Sequence, residues 1–147
     1  MENAKLEDAK RAADKHIAAF NAHDTTALTA NEAPDIEFEA PGVRLRGREQ
    51  VAEFFATYWR AFPDAQVTLR TRAIDGLTVV SENVLAGTHT GPLRTPQGDI
   101  PPTGRRVESH GVAIQRIQSG LVVSEHLYFD QLEMLAQLGV LPEPAKT

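Results

Sequence analysis

The chain has 147 residues, of which 41% are hydrophobic and 24% charged, values that fit one globular domain with a single core and argue against disorder. Fifteen Lys and Arg stand against twenty Asp and Glu, a formal net charge of −5, and the arginines are dispersed among acids, so nucleic acid is not an expected partner. There is no cysteine, which excludes disulfides, thiolate nucleophiles and sulfur-ligated metals.

The opening stretch "MENAKLEDAKRAADKHIAAF" is charged throughout and lacks the apolar core of a signal peptide. No run is long enough to cross a bilayer, so a soluble cytoplasmic protein without a membrane partner is expected. Leu6, Ala9, Ala13, Ile17 and Phe20 recur at three- and four-residue steps and predict a first helix, with His16 and His23 facing solvent. Asp24 is an N-cap candidate for a short helix in "TTALTA", ended by Pro34. "DIEFEA" alternates as a half-buried strand and Pro41-Gly42 turns the chain. A helix follows Gly47, with Val51, Phe54, Phe55, Tyr58 and Phe62 on one face, and Pro63 stops it.

A meander then follows. One strand covers roughly 66 to 74, Asp75-Gly76 makes a hairpin turn, and a longer strand runs from about 78 to 90. The Pro- and Gly-rich segment 91–104 reads as a stiff, fixed arm. Ser119-Gly120 joins the last two strands, and a closing helix carries Leu132, Leu135 and Leu138, with Gly139 as C-cap and Pro142 beyond. Without repeats or long linkers, residues 1–147 form one expected domain. Its class is α+β: helices laid across a curved, mainly antiparallel sheet, giving a cone-shaped interior suited to a small molecule.

If Ser119-Gly120 is a two-residue turn, Gln118 pairs with Leu121 and Ile117 with Val122. Strict alternation then puts Gln115, Ala113, Gly111 and Ser109 on one face with Ser124, His126, Tyr128 and Asp130. Arg116, Ile114, Val112 and His110 share the other face with Leu121, Val123, Leu127 and Phe129. The first face, small and polar, is expected to line the cavity. The second, largely apolar, is expected to be covered by another subunit, giving a homodimer. The reverse orientation in a monomer is the alternative.

Several stretches together resemble the SnoaL-like polyketide cyclases, also called ester cyclases, of the nuclear transport factor 2-like superfamily: "AFNAHD", "RGREQVAEFFATYWRAFPD", "GTHTGPL", "PPTGRRVESHG" and "YFDQLEMLAQLG". They cover nearly the whole chain in the right order. The resemblance implies an α+β cone, usually dimeric or larger and without a cofactor. It also implies intramolecular aldol chemistry such as the family's cyclases perform on an anthracycline-precursor methyl ester. Their essential acid/base is an aspartate at the end of the last strand, a place Asp130 occupies. Two residues earlier those cyclases can carry a histidine, where this chain has Tyr128.

Asp130, His126 and Tyr128 are therefore the candidate catalytic residues: Asp130 as acid/base, Tyr128 donating to an oxyanion, His126 holding the carboxylate or substrate. Asp130-Gln131-Leu132-Glu133 also reads as a capping box, which gives Asp130 a purely structural alternative. Asn83, His89 and Gln115 are candidate polar contacts to a substrate, although His89 also suits anchoring of the 91–104 arm. Phe20, Phe54, Tyr58 and Trp59 are candidate cavity walls. No HExxH motif or compact His/carboxylate cluster suggests a metal. The expected activity is a cofactor-independent cyclase or isomerase acting on a carbonyl-containing apolar small molecule. The alternatives are a non-catalytic ligand-binding protein and an epoxide hydrolase or hydratase.

Overall fold

Proline and glycine divide the chain into elements much as the sequence suggests. The computed structural model describes residues 2–141; Pro142 lies outside them. Helix α1 spans Glu2–Asn21, α2 Thr25–Ala30, α3 Arg48–Ala61 and α4 Gln131–Leu138. The strands are β1 (Glu32–Ala40), β2 (Val43–Arg46), β3 (Gln66–Asp75), β4 (Thr78–Thr88), β5 (Leu93–Thr95), β6 (Gly98–Ile100), β7 (Arg106–Gln118) and β8 (Leu121–Phe129). Pro34 lies inside β1, not at the end of a helix, because α2 already closes at Ala30. The turn at Pro41-Gly42 folds β2 back on β1, a strand the sequence did not announce.

Six strands form one sheet in the order β2-β1-β8-β7-β4-β3, with β1 and β8 parallel and every other pair antiparallel. β5 and β6 form a small separate hairpin within the 91–104 arm. The arm is fixed at both ends: His89 N donates to Arg105 O, Gly104 N to His89 O, and Gly91 N to Ala61 O. At Gly91 the α3 backbone is so close that a Cβ would sit 1.9 Å from Arg60 O, so only glycine fits.

The expected pairs Gln118↔Leu121 and Ile117↔Val122 are present, but the next pair is Arg116↔Ser124. Val123 is an extra residue, a β-bulge, and beyond it Gln115 faces Glu125, Ala113 faces Leu127 and Gly111 faces Phe129. The parallel ladder from β8 to β1 is irregular at the same place, between Glu32↔Val122 and Glu37↔Ser124. A second shift, between Leu69 and Thr71, breaks the β3–β4 ladder. Both irregularities bend the sheet around its contents.

α1 and α3 cover the concave face. Ala9, Ala12, Ala13 and Phe20 of α1 and Val51, Phe55 and Trp59 of α3 are buried with Ile36, Phe38 and Val122 of the sheet. Phe38, Phe54 and Phe55 meet at ring separations of 4.8 to 5.6 Å in tilted or edge-on contacts. Fully burying such a side chain contributes about 1.5–3 kcal/mol, so this cluster fixes how the helices sit on the sheet. Among the described residues no helix is long and apolar enough to cross a membrane.

Candidate functional site

A cavity with about 110 Å³ of free space lies between the concave face and the two long helices. Phe20, Phe54, Phe55 and Tyr58 supply the helical wall, and Leu127 and Phe129 face them from β8. The polar part of the wall comes from Ser81 and Asn83 on β4, Ser109 and Gln115 on β7, Glu125 on β8 and His16 on α1. Met134 of α4 also reaches the wall. Among the described residues no Lys or Arg lines it. Arg72 reaches Ser81 Oγ at 3.2 Å, but it pairs with Asp14 and stays off the wall.

Three titratable groups meet at the polar end. His16 Nε2 lies 3.4 Å from Glu32 Oε2, and His16 Nδ1 lies 3.9 Å from Glu125 Oε1. Gln115 Nε2 donates to the same Glu125 oxygen at 2.7 Å. All three groups are buried: Glu32 is 0% exposed, Glu125 3% and His16 5%. Burial pushes the Glu125 carboxyl above the ordinary glutamate range, and the nearby His16 and Gln115 only partly oppose it. Burial also works against a charged His16 ring, but the Glu125 and Glu32 carboxylates outweigh it and hold the imidazole pKa above its usual value. Glu125 Oε2 and Glu32 Oε1 have no hydrogen-bond partner. Glu125 belongs to the wall; Glu32 lies off it, beyond His16. Tyr58 is a neutral hydroxyl, its pKa pushed up to about 12 by burial.

These positions correct the site expected from strict alternation. The bulge at Val123 rotates the rest of β8 by one residue, so Glu125, Leu127 and Phe129 face the cavity and His126 and Tyr128 do not. Tyr128 is 55% exposed. Asp130 is exposed and off the cavity wall; it is the N-cap of α4, its Oδ1 accepting from Glu133 N at 3.1 Å. Leu127 and Phe129, expected on the outer face, are cavity residues.

Among the other sequence candidates, Asn83, Gln115, Phe20, Phe54 and Tyr58 lie on the cavity wall. Trp59 and His89 do not. Trp59 is buried behind the wall against Phe20 and stacks on His23 at 5.2 Å. His89 is fully buried and holds the arm: Thr103 N donates to its Nδ1 at 3.1 Å. His16, expected in solvent, is buried. Its signal was present, since it continues the stripe of Ala9, Ala12 and Ala13 at helical spacing toward Phe20. Among the described residues no group of three or more His, Asp or Glu side chains could hold a metal ion.

A family model for the SnoaL-like polyketide cyclases matches residues 10–138, and the chain belongs to that family. A comparison with curated proteins returns no match. Among solved structures, a proposed SnoaL-like polyketide cyclase from Jannaschia sp. CCS1 superposes with a TM-score of 0.82 at 18% identity, over 92% of this chain and 94% of that one. IdmH, a proposed polyketide cyclase from Streptomyces antibioticus, gives 0.76 at 28% identity over 90% and 99%. An LEH-like epoxide hydrolase from M. tuberculosis gives 0.69 at 21% identity over 90% of each chain, a likeness of fold.

Proposed function

We propose that the chain is a cofactor-independent cyclase or isomerase that moves a proton on a carbonyl-containing, largely apolar small molecule, with Glu125 as the acid/base group. In this reading the part that the family resemblance assigns to Asp130 passes to Glu125. The observation that carries it is the Glu125 carboxyl itself: buried in an apolar-walled cavity, one oxygen held by Gln115, the other unpartnered. A carboxyl whose pKa is raised toward neutrality is well matched to accepting and returning a proton at cellular pH.

Glu125 Oε2 takes the proton from the carbon next to a carbonyl, and the electron pair moves onto the carbonyl oxygen as an enolate. The Tyr58 hydroxyl, neutral and on the same wall, is the available donor to that oxygen. In a cyclisation the enolate carbon bonds to a second carbonyl carbon of the same molecule, and the new alkoxide takes the proton back from Glu125. In an isomerisation the proton returns to a different carbon. His16, backed by Glu32, is a positioning residue that fixes the Glu125 carboxyl.

The IdmH likeness at 28% identity supports the cyclase side of this reading. An epoxide hydrolase needs water oriented beside the ligand by further polar groups; the second carboxyl, Glu32, is 0% exposed and off the wall, which disfavours it. Pairing of two copies through the outer face of the sheet belongs to the same reading, supported by the half-buried Val112 and Ile114 and the exposed Tyr128 (55%) on that face. Light scattering tests it.

The acid/base assignment is tested by α-proton exchange of cyclohexanone in deuterium oxide. Wild type should accelerate exchange, and Glu125→Gln should lower the rate by about 10²–10⁴-fold. Equal exchange by the two proteins overturns the assignment. In a 13C titration the Glu125 carboxyl should have its midpoint above the ordinary glutamate value; a midpoint at or below it would favour a binding protein without chemistry.

A further inference from the structure

We infer that the Ser81 hydroxyl is a second hydrogen-bond donor to the substrate's carbonyl oxygen, polarised and aimed by the Arg72 guanidinium behind it. This rests on the proposed function and adds two residues to it. Ser81 is an oxyanion donor, and Arg72 is a positioning residue that acts through Ser81.

The register of the sheet brings them together. Arg72 of β3, Ser81 of β4 and Ala113 of β7 are successive cross-strand partners, so their side chains share the concave face. Ser81 and Ala113 line the cavity, while Arg72, on the edge strand, stands behind Ser81 and pairs with Asp14 of α1.

The direction of the Ser81 hydrogen follows from its neighbours. Arg72 Nε donates to Ser81 Oγ at 3.2 Å. A guanidinium has donors and no acceptor, so the hydroxyl hydrogen cannot return along that contact. Among the described residues no other group accepts it: the buried wall acceptors Asn83 Oδ1 and Glu125 Oε2 both lack partners. Ser81 is thus held at one lone pair from behind, with its hydrogen left for whatever enters the cavity. A donor fixed before the reaction begins is what a developing oxyanion requires.

Charge reinforces the arrangement. The Arg72 side chain is 10% exposed, whereas that of its partner Asp14 is 53% exposed and bonds through Nη1 alone. Nη2 is buried without a partner. The counter-ion is therefore half in water, and the guanidinium charge is left uncancelled on its inner side. A hydrogen bond from a charged donor is stronger than a neutral one and polarises the hydroxyl that receives it. When Glu125 takes the α-proton it becomes neutral, and the negative charge moves to the substrate's oxygen. That oxygen has two lone pairs, one for Tyr58 on the helical wall and one for Ser81 on the sheet.

Acetone labelled with 13C at its carbonyl, titrated onto the full chain, tests the contact. A carbonyl carbon moves downfield as its oxygen accepts stronger hydrogen bonds. The bound signal should lie upfield in Ser81→Ala relative to wild type, and Arg72→Met should shift it the same way by less. Asp14→Asn breaks the same pairing with α1 but keeps the guanidinium, so it should leave the signal at the wild-type position. In cyclohexanone exchange Ser81→Ala should lower kcat by about 10²-fold with KM little changed. Arg72→Met should lower kcat in wild type and add nothing further in Ser81→Ala. If Ser81→Ala loses its native circular dichroism spectrum, the comparison of Arg72→Met with Asp14→Asn decides. Equal bound shifts in wild type and Ser81→Ala overturn the inference, as does a signal that wild type does not move. Equal effects of Arg72→Met and Asp14→Asn also overturn it, since Arg72 would then be a latch between α1 and β3. The acetone signal involves no proton transfer. If it responds as expected while Glu125→Gln exchanges like wild type, the acid/base assignment fails and the Ser81 contact stands.

Discussion

Gln115 and Glu125 stand opposite each other on neighbouring strands, and the Gln115 amide donates to one Glu125 carboxyl oxygen at 2.7 Å while the second oxygen is left without a partner. A carboxyl buried in an apolar cavity would ordinarily be fully satisfied or absent. Here it is half satisfied, which fixes its orientation and leaves one lone-pair face directed to whatever enters.

Replacing Gln115 with Leu removes a hydrogen bond that favours the charged carboxylate. The Glu125 pKa, already raised, should rise further. A 13C titration of the Glu125 side chain should therefore give a higher midpoint in Gln115→Leu than in wild type, and the acid limb of a pH–rate profile should move the same way. A lower midpoint would mean that the Gln115 amide does not stabilise the ionised form.

His16→Gln should be costly. It leaves Glu32, 0% exposed, without the one side chain that hydrogen-bonds its carboxylate among the described residues. Breaking a buried ion pair from one side typically costs about 3–5 kcal/mol, which urea denaturation would resolve. Adding Glu32→Gln to His16→Gln should recover part of the loss, because a neutral amide replaces the stranded charge. No recovery would show that His16 acts through packing against Phe55 alone.

Asp130→Ala removes only a helix cap. The expected loss is about 1 kcal/mol of stability by urea denaturation, with exchange activity unchanged. A large drop in activity at near-native stability would return Asp130 to the chemistry.

His89 makes the stability of the fold depend on pH. Its Nδ1 accepts from Thr103 N, its Nε2 is buried without a partner, and burial holds its pKa below 6.5. Between the folded pKa and the unfolded value of 6.5 the unfolded chain carries the extra proton. The contribution is therefore complete above pH 6.5, lost as pH falls through the folded pKa, and level below it. His16 and Glu125, both raised, work the other way as pH falls, so the His89 contribution is read as a difference: between pH 7.5, 6.5 and 5.5 the urea midpoint of wild type should fall relative to that of His89→Gln. Asp64 is held below the ordinary carboxylate range by the Thr88 amide, and Glu133 by the His110 side chain, so both act only in more acidic solution. An unchanged slope in His89→Gln would exclude His89 as the cause.

Much of the architecture is legible in the residues because its boundaries are chemical. Asp24 and Asp130 cap helices, Gly139 takes a left-handed φ of 73°, Ser119-Gly120 turns a hairpin, and Gly76-Leu77 turns another, one residue past the expected Asp75-Gly76. Half of the cavity is legible for a similar reason: β7 alternates without interruption from Ser109 to Gln115, and α3 carries Phe54 and Tyr58 at helical spacing. His16 was readable as the continuation of an alanine stripe but was assigned to solvent for its polarity. Glu125 was not readable. The bulge that turns it inward is a main-chain event, and nothing in "LVVSEHLYF" marks Val123 as the residue that drops out of the ladder. The parallel pairing of β1 with β8 was equally hidden, since it joins segments far apart in the chain, Glu32 with Val122.

That single unpaired valine has a consequence for comparing homologues. Closing the bulge without changing the length of β8 would exchange the inward set Glu125, Leu127 and Phe129 for His126 and Tyr128, whereas deleting the extra residue would keep that set in place. Two relatives that align without a gap through this strand can thus present different functional groups to their ligands. Two that need a gap can present the same ones. Assigning reactive residues across this family by column therefore requires first counting the ladder.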